Sequence, residues 1–239
     1  MYSRENYHDE HYETLDPEAY RASVRFLKAF AGDRKRLLDF GAGNGSFMVA
    51  AKELGFAVTG IEYQSSAIES ARRNTGERVL DWASAEAQKL RFDIIHLGDV
   101  FEHLPNPLET MTKLRGLLAE KGVFFIEGPL QNNLSVVRLA AASVKAAKRL
   151  VSRDQPGRSP PTHLILVDRT AQERFFRERM GMRVVQFRNY ENGWPYKNRL
   201  PLRTLGGVAK RGIGELARLA HRLSDRFANR FAAIVEPPQ

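Results

Sequence analysis

Short apolar runs alternate with stretches of helical periodicity along the first half of the chain. The runs are bounded by turn residues and predict strands, while the stretches between them place apolar residues three and four positions apart, as helices do. This alternation favours a doubly wound α/β fold, in which helices cover both faces of a mostly parallel sheet. The predicted strands are residues 36–40, 57–61, 77–81, 92–97 and 123–127, and the helices between them are 44–54, 65–74 and 106–119.

A further helix is predicted ahead of the first strand. Asp16, Pro17 and Glu18 provide an N-cap, a proline at the first helical position and an acid in the first turn. The residues before Asp16 are rich in polar and aromatic side chains. They could fold over a ligand as a lid, or they could form a disordered terminus.

The regular alternation ends near residue 131. Residues 133–151 form a predicted amphipathic helix whose polar side carries Arg138, Lys145 and Arg149, and a loop rich in proline, glycine and serine follows it. A second basic amphipathic helix is predicted from about residue 203 to residue 230, with a break near Gly212 and Gly214 left open. The other elements predicted here are a helix at 169–180 and strands at 182–190 and 231–236.

One loop carries the strongest chemical signal. Residues 37–45 read Leu-Leu-Asp-Phe-Gly-Ala-Gly-Asn-Gly, after a predicted strand and at the start of a predicted helix. The third glycine comes one residue earlier than in the G-x-G-x-x-G loop of dinucleotide-binding proteins. Asp39 suits a ligand with an ammonium group, as in the methionine part of S-adenosylmethionine; the alternative is a tight turn without a ligand. The candidate cofactor-binding residues here are Asp39, Gly41, Ala42, Gly43 and Gly45.

Glu62 ends the second predicted strand, at the edge where open α/β sheets bind ligands. An acid there can accept hydrogen bonds from ribose hydroxyls, although taken alone it would be an ordinary surface acid. Its spacing from the glycine loop makes Glu62 a candidate ribose ligand, with Tyr63 beside it.

These residues resemble the class I S-adenosylmethionine-dependent methyltransferases, and the resemblance covers about residues 34–127. Within it, Asp81 and Trp82 end the third strand where the family binds adenine, although Glu86 could take the place of Asp81. Residues 99–104, Asp-Val-Phe-Glu-His-Leu, resemble the D-V-L-E-H-L segment of a large branch of small-molecule methyltransferases. That match places Asp99 at the methyl-donor pocket.

The resemblance implies a Rossmann-like, seven-stranded sheet in the order 3-2-1-4-5-7-6, with an antiparallel seventh strand. It also implies S-adenosylmethionine as the cofactor and S-adenosylhomocysteine as the product. We therefore divide the chain into a lid with the first helix (1–33), the cofactor-binding half of the domain (34–131), a basic helical insertion (132–161) and the C-terminal part of the same domain, with its basic helix at 203–230 (162–239).

Two histidines are candidate catalytic bases, because a hydroxyl acceptor must lose its proton and histidine titrates near neutral pH. His103 lies in the Asp-Val-Phe-Glu-His-Leu segment, and His163 lies in a Thr-His-Leu sequence that also resembles this branch. The alternative for each is a structural role, capping a helix or bonding a loop carbonyl. No cluster of His, Asp and Glu indicates a metal site, so none is predicted.

Composition and charge change the picture in two ways. Cysteine is absent, which excludes disulfides, thiolate metal sites and the nucleophile that cytosine-C5 methylation needs. The net charge is +9, and two stretches carry the excess: residues 132–160 have six Lys/Arg less one acid, and residues 203–230 have seven less two. Such a surface can meet nucleic acid, anionic lipid or an anionic substrate, or it can simply be solvated.

The sequence thus favours a methyltransferase that acts on a small molecule or on a glycan or lipid-linked precursor, at oxygen. The basic helices could lie on an anionic membrane; the alternatives are a substrate lid, or a pair of helices packed on each other or across a dimer. One alternative is an rRNA or tRNA methyltransferase, but the chain lacks the Asn/Asp-Pro-Pro-aromatic segment of base-amino methyltransferases, so nucleic acid is not the expected partner. Another is a non-catalytic protein that only binds the cofactor. Without a signal-peptide core or an apolar run of about 20 residues, we expect a cytoplasmic protein, which the basic helices could attach to the inner membrane face.

Overall fold

The computed structural model describes residues 15–151, 164–191 and 204–238. Within these ranges seven strands form one sheet in the order 3-2-1-4-5-7-6, so the predicted fold and strand order are confirmed. Strands 1 to 5 are parallel, and β7 lies antiparallel between β5 and β6. The strands are β1 (Arg36–Phe40), β2 (Ala57–Ile61), β3 (Arg78–Leu80), β4 (Phe92–Gly98), β5 (Leu118–Pro129), β6 (Arg183–Tyr190) and β7 (Arg230–Glu236).

Helices connect the strands and cover both faces of the sheet. The predicted first helix begins with a single 3-10 turn, Pro17–Tyr20, which Asp16 caps by accepting the N–H of Ala19. The α-helices are α1 (Arg21–Ala31), α2 (Ser46–Glu53), α3 (Ser65–Thr75), α4 (Trp82–Ala87), α5 (Pro107–Arg115), α6 (Val136–Val151), α7 (Arg169–Arg174) and α8 (Leu205–Leu223).

The core consists of two layers, one on each face of the sheet. Ile94 and Phe125 pack with side chains of α1 and α2 in one layer, while their neighbours Ile95 and Phe124 pack with side chains of α5 in the other. All four side chains are fully buried. Because both faces are covered, the central strands read as continuous apolar runs rather than as alternating ones.

Several predicted boundaries need correction. The helix predicted at 106–119 ends at Arg115, and β5 begins at Leu118, because Leu118 already pairs with Phe92 of β4. Helix α4 was not predicted; Asp81 caps it by accepting the N–H of Ser84. The helix predicted at 65–74 begins at Ser65 as expected but ends at Thr75, and Gln64 before it makes no side-chain capping bond.

The basic helix predicted at 203–230 is shorter than expected but continuous. Within the described residues it runs as α8 through Gly212 and Gly214 without a break, and a 3-10 turn at Asp225–Phe227 follows it. Each glycine lowers intrinsic helix stability by about 1 kcal/mol, but α8 packs against α6 and gains tertiary contacts. Arg230 is not on this helix at all: it opens β7.

Candidate cofactor site

The glycine loop between β1 and α2 needs glycine for conformational and steric reasons. Gly41, Gly43 and Gly45 have φ values of +82°, +52° and +86°. A Cβ on Gly41 would lie 2.4 Å from Cγ2 of Val100, and one on Gly45 would lie 2.5 Å from Cγ2 of Thr75. The left-handed backbone and the close neighbours therefore exclude a side chain at Gly41 and at Gly45.

Glu62 ties the end of β2 to the glycine loop. Its carboxylate is buried, and Oε2 accepts the N–H of Gly43 at 2.9 Å. Oε1 accepts the N–H groups of Tyr63 at 2.7 Å and Gln64 at 3.3 Å. An ionised carboxylate offers about four acceptor positions, so roughly one remains for a hydroxyl of a ligand. Ala42 is buried in the same loop, where its N–H donates to the carbonyl of Ile61.

The third strand ends at a helix cap. Oδ1 and Oδ2 of Asp81 accept hydrogen bonds from the N–H and hydroxyl of Ser84, and these bonds lower the pKa of Asp81. Trp82 packs edge-on against Phe40, with ring centroids 5.8 Å apart. Glu86, the alternative to Asp81, is exposed on α4. Both acids therefore remain candidates for the adenine contact.

Asp39 has a buried partner that the sequence analysis did not identify, and that partner contacts a second buried acid. Its Oδ1 lies 2.8 Å from Nδ1 of His96 on β4, and Nε2 of His96 lies 3.4 Å from Oε2 of Glu127 on β5. Burial alone would lower the pKa of His96, but the two carboxylates outweigh it and raise that pKa to about 9. The candidate ammonium ligand is thus part of a chain of buried charges.

That chain of charges continues toward the end of β4. Glu127 accepts hydrogen bonds from the hydroxyls of Ser23 and, at 3.2 Å, Tyr190. Nε of Arg230 donates to the Tyr190 oxygen at 3.1 Å, and its Nη2 donates to both carboxylate oxygens of Asp99 at 2.7 and 2.8 Å. Asp99 itself adopts a left-handed conformation, with φ of +53°. An arginine from β7 therefore holds the acid predicted to line the methyl-donor pocket.

Next to Asp99 lies a second residue that the sequence analysis did not single out. Glu102 is 4% exposed, and among the described residues its Oε1 has no hydrogen-bond partner. Burial and the negative charge of Asp99 raise the pKa of Glu102 to about 8. Its carbonyl accepts the N–H groups of Leu164 and Ile165. This buried carboxyl lies between the ends of β4 and β5, since its Oε2 would be 3.4 Å from a Cβ on Gly128.

The structure describes only one of the two candidate bases. His103 is half-buried, in the 3-10 turn Phe101–His103 that follows β4. His163 lies outside the described residues, as do residues 1–14 of the predicted lid. In the described ranges, no three His, Asp or Glu side chains are grouped so that they could hold a metal ion.

Comparison with known proteins assigns the family. Residues 10–187 match the family model described as a methyltransferase domain, so the chain belongs to that family. Two solved structures share the fold: a methyltransferase from Archaeoglobus fulgidus that depends on S-adenosylmethionine (TM-score 0.58, 20% identity, 92% of this chain and 94% of that one) and one from Thiobacillus denitrificans in complex with S-adenosylhomocysteine (TM-score 0.57, 14% identity, 98% and 97%).

Curated relatives match over a shorter stretch. The ubiquinone biosynthesis O-methyltransferase of Histophilus somni is 31% identical over 103 residues, which are 38% of this chain and 43% of that protein. The chain therefore spans less than half the length of this relative. Family and fold together confirm the predicted class: the chain belongs to the methyltransferase family, and its fold is that of S-adenosylmethionine-dependent methyltransferases.

Proposed function

We propose that the protein transfers the methyl group to an oxygen atom of a small molecule, or of a glycan or lipid-linked precursor, presented at an anionic membrane. The curated relatives are named O-methyltransferases, which supports oxygen as the acceptor atom. The observation that carries the membrane part of the proposal is the surface of α8. That helix and α6 join the sheet at the edge that bears the site, since α6 follows β5 and α8 precedes β7.

We infer that the cofactor lies along this edge. Asp39 faces its ammonium group, Glu62 accepts one ribose hydroxyl, and Trp82 lies beside the adenine. When bound, S-adenosylmethionine supplies a methyl group on a positively charged sulfur. The chain's own groups orient the acceptor and exclude water around it.

The surface of α8 is unusual because its apolar stripe faces outward. Val208, Leu216, Leu219 and Leu223 lie within about 80° of arc on the helix, and they are 53%, 60%, 53% and 88% exposed. The side of α8 that is buried carries small residues instead: Gly207, Gly214 and Ala217. This distribution leaves the larger apolar side chains available to a partner.

Positive charge borders the α8 stripe. Arg211, Arg218 and Arg222 are exposed along one side of it, and α6 adds an exposed Arg138 beside Leu139. An apolar face bordered by arginines is typical of helices that lie in the interface of an anionic bilayer. No helix in the described part of the chain is long and apolar enough to cross a membrane.

We expect the protein to sediment with vesicles that contain anionic phospholipid, and much less with neutral vesicles. Reversing Arg211, Arg218 and Arg222 to glutamate should lower the partition coefficient by at least about a hundredfold, because each basic residue near an anionic surface contributes about 1 kcal/mol. A matched control reverses Arg25, Arg91 and Arg177, which are exposed on other elements, and should keep most of the binding.

Salt separates the two contributions to this binding. Screening of exposed charges within about 10 Å at 0.1 M salt should weaken the electrostatic part, while the leucines of the α8 stripe retain a residual attachment. Equal sedimentation of the wild type with anionic and neutral vesicles would remove the membrane from the proposal. If both triple variants lose vesicle binding equally, the binding depends on the net charge of the protein and not on α8.

The acceptor hydroxyl must give up a proton as it attacks the methyl carbon. His103 and His163 remain candidate bases, and the structure adds Glu102, whose raised pKa of about 8 suits a base near neutral pH. Replacing each with glutamine separates them: loss of the true base should lower kcat and remove an ionisation from its pH profile. The other two variants should keep that ionisation.

The acceptor class can be tested without knowing the acceptor. The protein is incubated with S-adenosylmethionine labelled in its methyl group and with three fractions of its source cell: membrane lipid, small water-soluble molecules and RNA. We expect label in the lipid fraction, in a form stable to mild base if it is an ether. Label in RNA alone would support the rRNA or tRNA alternative, and label in none, with the cofactor bound, would support a binding protein.

A further inference from the structure

A histidine lies between two buried carboxylates beneath the cofactor edge. His96 is 2% exposed; its Nδ1 faces Oδ1 of Asp39 at 2.8 Å, and its Nε2 faces Oε2 of Glu127 at 3.4 Å. The first contact is a hydrogen bond, and the second is an ion-pair distance with poorer alignment. Three strands contribute to the cluster, since Asp39 is on β1, His96 on β4 and Glu127 on β5.

The imidazole ring is held in one orientation. It stacks on the ring of Phe47 with centroids 3.6 Å apart, and the ring of Phe125 lies 5.3 Å away on β5. A Cβ on Gly98 would come within 2.7 Å of Cε1, so only glycine leaves room for the ring at that position. The ring therefore keeps both nitrogens directed at the carboxylates.

This geometry favours the doubly protonated ring. A neutral imidazole carries a lone pair on one nitrogen, and here that lone pair would face a carboxylate oxygen whichever tautomer formed. The pKa of His96 is raised to about 9, because the carboxylates outweigh burial. No other charged group contacts the ring directly; Ser23, Tyr190 and Arg230 reach it only through Glu127, within the described residues.

We propose that His96 is a positioning residue, an imidazolium that contacts Asp39 and Glu127 together and fixes the Asp39 carboxylate toward the amino-acid end of the cofactor. The proposal rests on the cofactor role of Asp39 proposed above. An imidazolium carries a proton on each nitrogen, so one ring can contact both acids at once, and its hydrogen bond fixes the direction of the Asp39 carboxylate.

The protonation state can be read directly by NMR. In protein labelled with ¹⁵N histidine, assigned with a His96→Gln variant, we expect the His96 ring to show two protonated nitrogens at neutral pH. It should lose a proton only near pH 9, whereas an exposed histidine does so near 6.5. A neutral His96 ring at neutral pH would overturn the proposal.

The effect on the cofactor is measured by calorimetry with S-adenosylhomocysteine. His96→Gln should weaken binding by roughly tenfold to a hundredfold, as expected for loss of a charge-assisted hydrogen bond. Glu127→Gln alone leaves the hydrogen bond between His96 and Asp39 in place, so this variant should bind within about threefold of the wild type. A loss as large in Glu127→Gln as in His96→Gln would show that the cluster has only a structural role.

A third variant distinguishes failure of this inference from failure of the proposed site. Asp39→Asn should weaken binding at least as much as His96→Gln. If Asp39→Asn binds normally, the proposed cofactor role of Asp39 is wrong, and the inference falls with it. If Asp39→Asn binds S-adenosylhomocysteine weakly while His96→Gln binds it like the wild type, only the inference about His96 is wrong. Thermal unfolding of each variant, with and without ligand, shows which variants are folded.

Discussion

The protein should be several kcal/mol more stable at mildly acidic pH than at alkaline pH, which is the largest effect we expect. Two buried groups cause it. Both hold a proton more tightly in the folded chain than in the unfolded one: the pKa of Glu102 is raised from 4.5 to about 8, and that of His96 from 6.5 to about 9. Each unit of such a shift corresponds to about 1.4 kcal/mol.

The sign is the same for both groups. When the folded state binds more protons than the unfolded state, the free energy of unfolding falls as pH rises. Ionisation of Glu102 lowers the free energy of unfolding between pH 4.5 and about 8, because the buried site stabilises its neutral, protonated form. His96 contributes a loss between pH 6.5 and about 9, as the imidazolium between two carboxylates is lost.

Urea unfolding at about pH 5, 7 and 9 measures this dependence. The free energy of unfolding of Glu102→Gln should change less between pH 5 and 7 than that of the wild type, since the amide cannot ionise. Between pH 7 and 9 it should still fall. For His96→Gln, the free energy of unfolding should still fall between pH 5 and 7 and should change less between pH 7 and 9. A wild type whose stability is constant or rises over this range would contradict both assignments.

Glu62→Ala should weaken cofactor binding and also destabilise the protein. The carboxylate accepts three backbone N–H groups, from Gly43, Tyr63 and Gln64. Glu62 is only 7% exposed, so removal of its carboxylate leaves these three donors buried without an acceptor. Hydrogen bonds to a charged group contribute about 1.5–3 kcal/mol each. We therefore expect a roughly tenfold to hundredfold loss of affinity from the lost ribose contact, together with a lower Tm from the lost backbone contacts.

Glu62→Gln is the matched variant for this experiment. Its amide oxygen can still accept the N–H groups of Tyr63 and Gln64, but its NH2 group then faces the N–H of Gly43, so only part of the Tm should return, while ribose recognition stays weaker. Calorimetry with S-adenosylhomocysteine and thermal unfolding separate the two effects. Unchanged affinity in Glu62→Ala would remove Glu62 from the site, and unchanged Tm would show that the glycine loop holds its conformation without it.

Much of the fold could be predicted because its signals are local. The predicted bounds of β1 and β2 match the structure, since each is an apolar run bounded by turns. The errors come from interactions that are remote in sequence. Pairing with Phe92 extends β5 back to Leu118, and contacts with α6 keep α8 helical through its glycines.

The same distinction between local and remote interactions applies to the candidate site. Asp39, the glycines and Glu62 could be identified because the spacing within a short segment carries the information. The contact of Asp39 with His96 joins residues 57 positions apart, and that of Asp99 with Arg230 joins residues 131 apart. The sequence does contain one signal for the contact at His96. His96 and Glu127 are ionisable residues inside apolar strands, and a buried charge requires a partner.

The position of β7 has a consequence for synthesis of the chain. It pairs with β5 on one side and with β6 on the other, but both of these strands precede it in the sequence. While the ribosome is still translating α8, β5 presents an open edge, and β6 has no neighbour in the sheet. Open strand edges invite pairing with other chains. We therefore expect the nascent protein to be most exposed to aggregation until β7 emerges.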